Sequence, residues 1–180
     1  QGLLDAALDA CYEVVYLNAD YLPIHLRLGE IYERQGFGSE ALSKYQILID
    51  TFTVRGESEH AIDVYFRVIE LSPDSLNTRS RLAELLRGGG RNEEAALQLV
   101  QVANSYFRIG QTNRAMEEYR RALQWCPQHI DLHTQYGLAL FKLERYEAAL
   151  GEFSKALEIN ANQPDAIARM NMTLAVMSED

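Results

Sequence analysis

Apolar residues in this chain recur at helical spacing. Ala41, Tyr45, Leu48, Ile49 and Phe52 stand at i, i+4, i+7, i+8 and i+11, a single stripe on a helix of 3.6 residues per turn. Ala95, Leu99, Val102, Ala103 and Tyr106 repeat that stripe further on. Leu42, Ile47 and Val54, and likewise Leu97, Val100 and Phe107, add apolar positions off it, so 38–55 and 92–109 read as long helices buried on more than one side. The same reading predicts helices over 3–17, 21–35, 38–55, 58–71, 75–88, 92–109, 112–125, 129–142, 146–159 and 164–178. No segment alternates with the period of a strand. Gly88-Gly89-Gly90 predicts a loop within the array, not a domain boundary.

A longer rhythm organises these helices. Ala7, Ala41, Ala61, Ala95, Ala115 and Ala149 are spaced 34, 20, 34, 20 and 34 residues apart. Five residues before the alanine stand Gly36, Gly56, Gly90 and Gly110, with Glu144 the departure. Twelve before it come Gly29, Ala83, Ala103 and Gly137, against Ile49; four after it come Tyr45, Tyr65, Leu99, Tyr119 and Phe153. Pro73 and Pro127 follow at twelve, with Ala161 in the last full unit. Small residues belong where antiparallel helices approach closely, and a large side chain fills the space beside that contact. Glycine ends a helix and proline punctuates the link to the next.

This pattern of small, aromatic, glycine and proline positions over 34 residues resembles the tetratricopeptide repeat. The resemblance covers nearly the whole chain and implies an all-α solenoid of about ten antiparallel helices, 1–180, formed as a single domain. The 20-residue steps lack 14 residues, the length of a helix and its turn. At an offset of 54, Leu22, Arg27, Leu28, Glu30, Gly36, Ala41, Gly56 and Ala61 reappear as Leu76, Arg81, Leu82, Glu84, Gly90, Ala95, Gly110 and Ala115. The expected organisation is therefore two 54-residue blocks of three helices, each with one shared helix, then a regular repeat and a terminal helix.

Composition is that of an ordinary globular protein, 47% apolar and 24% charged over 180 residues. A net charge of −9 argues against binding a nucleic-acid backbone. No apolar run reaches the roughly 18 residues of a membrane span, so membrane insertion is not expected. Nothing reads as a signal peptide. Cys11 and Cys126, far apart in a stacked array, read as free thiols and suit a cytoplasmic location. The chain begins at Gln1, and 3–17 matches the second helix of a repeat without its first, so it reads as a fragment of a longer repeat protein.

Little chemistry competes with this reading. Cys126, His129 and His133 have a spacing that could ligate zinc. His25, however, holds the place of His133 in the first block without a cysteine, and we assign no metal. No phosphate loop, nucleophile elbow or zinc-protease motif occurs, so neither catalysis nor a cofactor is expected. Arginine outnumbers lysine 14 to 3, a bias that favours forked contacts at interfaces. Arg27, Glu30, Arg34, Arg79, Arg81, Glu84, Arg87 and Arg91 are the candidate partner-binding residues, a mixed-charge strip for a protein or peptide. The resemblance would also allow a carboxylate clamp, but its places hold Leu26, Glu30, Ser80 and Glu84, which cannot form one. The expected function is a non-catalytic protein–protein interaction scaffold. The alternative is end-to-end self-assembly through terminal helices that lack polar caps, with Leu4, Leu8, Met170, Leu174 and Met177 as contacts and a homo-oligomer as product.

Overall fold

The structure, a computed structural model, describes residues 2–18 and 21–179, and the side chains of all of these but residue 179. Among the described residues ten helices follow one another: α1 (Gly2–Leu17), α2 (Leu22–Gln35), α3 (Gly38–Arg55), α4 (Ser58–Leu71), α5 (Leu76–Gly88), α6 (Asn92–Arg108), α7 (Thr112–Trp125), α8 (Ile130–Phe141), α9 (Tyr146–Ile159) and α10 (Pro164–Glu179). No bound differs from the sequence reading by more than one residue. There is no strand among the described residues. Among the described residues no helix is long and apolar enough to cross a membrane. Helix α5 runs on through Gly88, so the expected loop shrinks to Gly89 and Gly90.

The register of the alanines reappears as backbone geometry. Gly36, Gly56, Gly90 and Gly110 all have φ between 73° and 80°, and Glu144, the departure in sequence, has φ 59°. Each of the five closes its helix in the same way. The residue after it donates its N–H five residues back, as in Phe37 N–H to Tyr32 O at 2.9 Å and Arg145 N–H to Leu140 O at 3.1 Å. Glycine enters the left-handed region at no steric cost, whereas a residue with a Cβ is strained there.

Two compact units divide the chain, one ending at Thr78 and the other starting at Arg79. In the first, α2 packs on α1 and α3, and α3 packs on α4. Gly29 of α2 lies against the Tyr45 ring so closely that a Cβ there would sit 2.6 Å from Cε1. Tyr45 is fully buried, and its hydroxyl donates to Glu33 Oε1 at 2.5 Å. Burial, then that hydrogen bond, pushes its phenol well above the ordinary value. Cys11, Ile24, Leu28 and Ile31 form a smaller core between α1 and α2, which Gln35 to Asp5 (2.9 Å) and the Tyr12–Tyr32 hydroxyl pair (2.6 Å) also join.

In the second unit α6 packs on α7, α8 on α9, and α10 on α9 and α8. Gly137 of α8 meets Phe153 of α9 as Gly29 meets Tyr45, again with 2.6 Å to a virtual Cβ. Tyr119 fills the matching place between α6 and α7, and its hydroxyl donates to Asn104 at 2.5 Å. Burial pushes that phenol up to about 12.

The expectation that both long helices are buried on more than one side needs correction. Helix α6 buries Ala96 and Val100 beside its stripe, but Ile47 of α3 is exposed and Val54 is 88% exposed. Helix α3 therefore buries one face, Ala41, Tyr45, Leu48 and Ile49, and leaves apolar side chains on another.

Candidate functional site

The candidate charged residues divide into two clusters, one in each unit. In the first, Glu30 on α2 takes Arg27 at 3.0 Å, one turn back on its own helix. Its other oxygen takes Arg67 of α4 at 3.4 Å, so one carboxylate joins two helices. Arg34 stands exposed in the last turn of α2, where a cation also opposes the helix dipole.

The second unit repeats this arrangement with additions. Glu84 on α5 takes Arg121 of α7 at 2.5 Å, and Arg121 also binds Glu118 at 2.7 Å. Glu84 and Arg121 stand 54 residues after Glu30 and Arg67, so the same cross-helix ion pair occurs twice. The guanidinium of Arg87 lies 4.7 Å from the Trp125 ring centroid and that of Arg121 lies 5.3 Å from it. Arg91 grips Glu94 through two bonds of 2.7 Å, which hold that carboxyl below its ordinary value. Arg79 donates to Gln98 at 3.1 Å, while Arg81 is exposed.

Most of these charges thus spend part of their hydrogen-bonding capacity within the fold. Exposed pairs of this kind contribute only about 0–1 kcal/mol each, so their service to stability is small. Sequence reasoning found Glu30 and Glu84 but missed their partners Arg67 and Arg121, and missed Glu118 and Trp125. The recurrence of arginine at 67 and 121 was the available signal.

The terminal candidates are placed unequally. Leu4 and Leu8 pack partly into the small core beneath α1, and Met170 packs against the larger core of the second unit. Leu174 is 46% exposed and Met177 half-buried. Ile167 and Met172 on α10, and Leu3, Tyr12, Tyr16 and Leu17 on α1, are exposed apolar residues outside the candidate set.

The C-x2-H-x3-H spacing does not assemble a ligand set. His133 is buried, with Nδ1 2.7 Å from Glu152 Oε2 and Nε2 2.9 Å from the Pro127 carbonyl. Both neighbours are acceptors, so the ring donates from both nitrogens and carries a proton. The Glu152 bond comes first in raising its pKa, and burial works against it. Burial pushes the Glu152 carboxyl up, but hydrogen bonds from His133 and Lys155 outweigh it and leave the group lowered. Among the described residues no three histidine, cysteine or acidic side chains converge as metal ligands. Burial raises both Cys11 and Cys126, which are free thiols.

Comparison with known proteins bears on the family. Residues 73–156, just under half of the chain, match the family model described as anaphase-promoting complex, cyclosome, subunit 3. RNA polymerase II-associated protein 3 of Xenopus tropicalis is 34% identical over 76 residues, 42% of this chain and 12% of that protein. The chain therefore spans only a small part of that relative. Among solved structures, YrrB, a TPR protein with an unusual peptide-binding site, is 14% identical over 94% of this chain and 84% of its own, with a TM-score of 0.47. The first TPR of Spaghetti (RPAP3), bound to an HSP90 peptide, is 17% identical over 76% and 94%, with a TM-score of 0.43.

Proposed function

We propose that this chain, an all-α array whose sequence pattern resembles the tetratricopeptide repeat, is a non-catalytic scaffold that presents its helical surface to a protein or peptide partner. One observation carries the reading. Helix α1 packs one face on α2, yet leaves Tyr16 and Leu17 more than 80% exposed next to Tyr12, which is also exposed. An apolar group of that kind on a folded surface marks an interaction site. The charged clusters add specificity. Arg27 and Arg34 are the exposed cations of the first cluster, Arg81 and Arg87 those of the second, and an acidic partner of either cluster would complete the hydrogen bonding that the fold leaves open.

A selection of displayed peptides against the immobilised chain, followed by calorimetry, tests this. We expect enriched sequences to bind with Kd below about 100 μM and to weaken with Arg81→Glu and Arg87→Glu. Failure to enrich any sequence refutes the scaffold reading. Binding that ignores both charge reversals refutes the second cluster alone.

End-to-end association has its own support in Ile167 and Leu174, exposed on one side of α10, and in Met172, exposed on another. Light scattering across protein concentration separates the two readings. A mass constant near 20.5 kDa excludes assembly.

A further inference from the structure

Helix α1 sets Leu4, Ala7, Leu8, Cys11, Val14 and Val15 against the small core of the first unit. Asp9, Tyr12, Glu13 and Tyr16, at i, i+3, i+4 and i+7, share a different face and with Leu17 line a shallow depression of about 570 Å³. We propose that this face docks a basic segment of another protein, with arginine as its anchor. The proposal rests on the scaffold reading and gives the α1 face its partner.

Internal repetition points to a cation. Counted from Ala7, Ala61 and Ala115, Glu13 of α1 holds the place of Arg67 in α4 and of Arg121 in α7. Each of those arginines reaches a carboxylate on the helix two before its own, Glu30 of α2 at 3.4 Å and Glu84 of α5 at 2.5 Å. In α1 the sign at this place is reversed, so the group that completes the same kind of pair is positive. Tyr16 stands where α4 has Glu70 and α7 has Gln124. A framework that carries glutamate and glutamine there has no packing need for an aromatic ring, and Tyr16 is 91% exposed.

The charge of α1 agrees. The helix carries Asp5, Asp9 and Glu13 and has no lysine or arginine of its own. Asp5 accepts a hydrogen bond from Gln35, whereas among the described residues no cation pairs with Asp9 or Glu13. Glu30, Glu84 and Glu94, by contrast, each hold an arginine. Lys44 of α3 shows what the aromatic side of this face accepts, since its ammonium lies 5.4 Å from the Tyr12 ring centroid. Arginine suits the open remainder better than lysine, because its planar guanidinium stacks on a ring while its N–H groups bond a carboxylate. A second copy of the chain does not supply that group through α10, whose one basic residue, Arg169, is held by Asp165 at 3.0 Å.

The test is fluorescence polarisation with the full chain and labelled peptides, acetylated and amidated so that no free terminus is recognised. One peptide carries arginine and leucine at helical spacing, and two others carry glutamine or glutamate in place of the arginine. The arginine peptide is expected to bind with Kd below about 100 μM, and the other two at least about tenfold more weakly. Glu13→Arg and Tyr16→Gln import residues that α7 already carries at these places, so both variants should fold. Each is expected to weaken the arginine peptide by about tenfold, and Glu13→Arg to turn the preference toward the glutamate peptide. Equal binding of the glutamine peptide, or binding unmoved in both variants, overturns the basic partner and leaves the scaffold reading standing. So does a mass that rises with concentration and stays monomeric in Glu13→Arg, which assigns the face to a second copy. Silence of all three peptides while the displayed library yields ligands overturns this inference alone. Silence of both overturns the two together.

Discussion

Gly137→Ala should destabilise the chain, although alanine is the better helix former. A Cβ at 137 would lie 2.6, 2.9 and 3.0 Å from three carbons of the Phe153 ring. Phe153 is fully buried and sits between α8 and α9, so its ring has no free space to enter. The propensity gain from glycine to alanine inside a helix is about 0.5–1 kcal/mol. Overpacking a closed contact costs about 1–3 kcal/mol, so the balance is a net loss of up to about 2.5 kcal/mol. Gly151 supplies the control. It lies inside α9 in the same unit, and a Cβ there meets nothing within 4 Å. Gly151→Ala should therefore gain the full propensity term, about 0.5–1 kcal/mol. Urea denaturation followed by circular dichroism measures both. In a Phe153→Leu background, Gly137→Ala should cost less than in the native chain, because the smaller side chain frees space for the Cβ. Equal stabilisation by the two alanines would refute close packing at Gly137 and with it the register of small and aromatic positions.

Two further predictions follow from the turns and the buried ion pair. Glu144→Gly should raise stability by about 1 kcal/mol, since Glu144 alone among the five helix-ending positions holds a left-handed φ with a Cβ; an unchanged urea midpoint contradicts the assignment. His133 has a raised pKa, so its contribution is complete below the ordinary value of 6.5 and declines as pH rises through the folded value. Glu152 is lowered, so its contribution holds above 4.5 and is lost as pH falls through its folded value. His133→Gln should cost about 1–3 kcal/mol at pH 6 and distinctly less at pH 9, and an equal cost at both excludes the charged pair.

The lattice of helices was legible because its signals are local. Whether a stretch forms a helix depends on residues three and four apart, and whether a turn can close depends on one residue's freedom at φ near +75°. Gly36, Gly56, Gly90 and Gly110, with Glu144 as the departure, carried that information in order along the chain. Gly29 with Tyr45 and Gly137 with Phe153 were legible for a similar reason, since a fixed offset recurs wherever a helix pair recurs.

The candidate site was legible only in part. Glu30 and Glu84 stood out through their offset, but a carboxylate's partner on another helix is not fixed by spacing along its own. His133 pointed toward Cys126 in sequence and found Glu152 of α9 in space. Val54 looked like core and is exposed, because whether a second apolar face is covered depends on which helix packs there.

The sequence by itself therefore determined the helices, their ends and the places of close approach, all consequences of short-range sterics and a repeated period. Only the tertiary structure decided which charges meet, which apolar faces stay open and that Lys44 of α3 stands over the Tyr12 ring of α1. Those outcomes depend on contacts between residues far apart in the chain, and the relative placement of helices, not their periodicity, sets such distances.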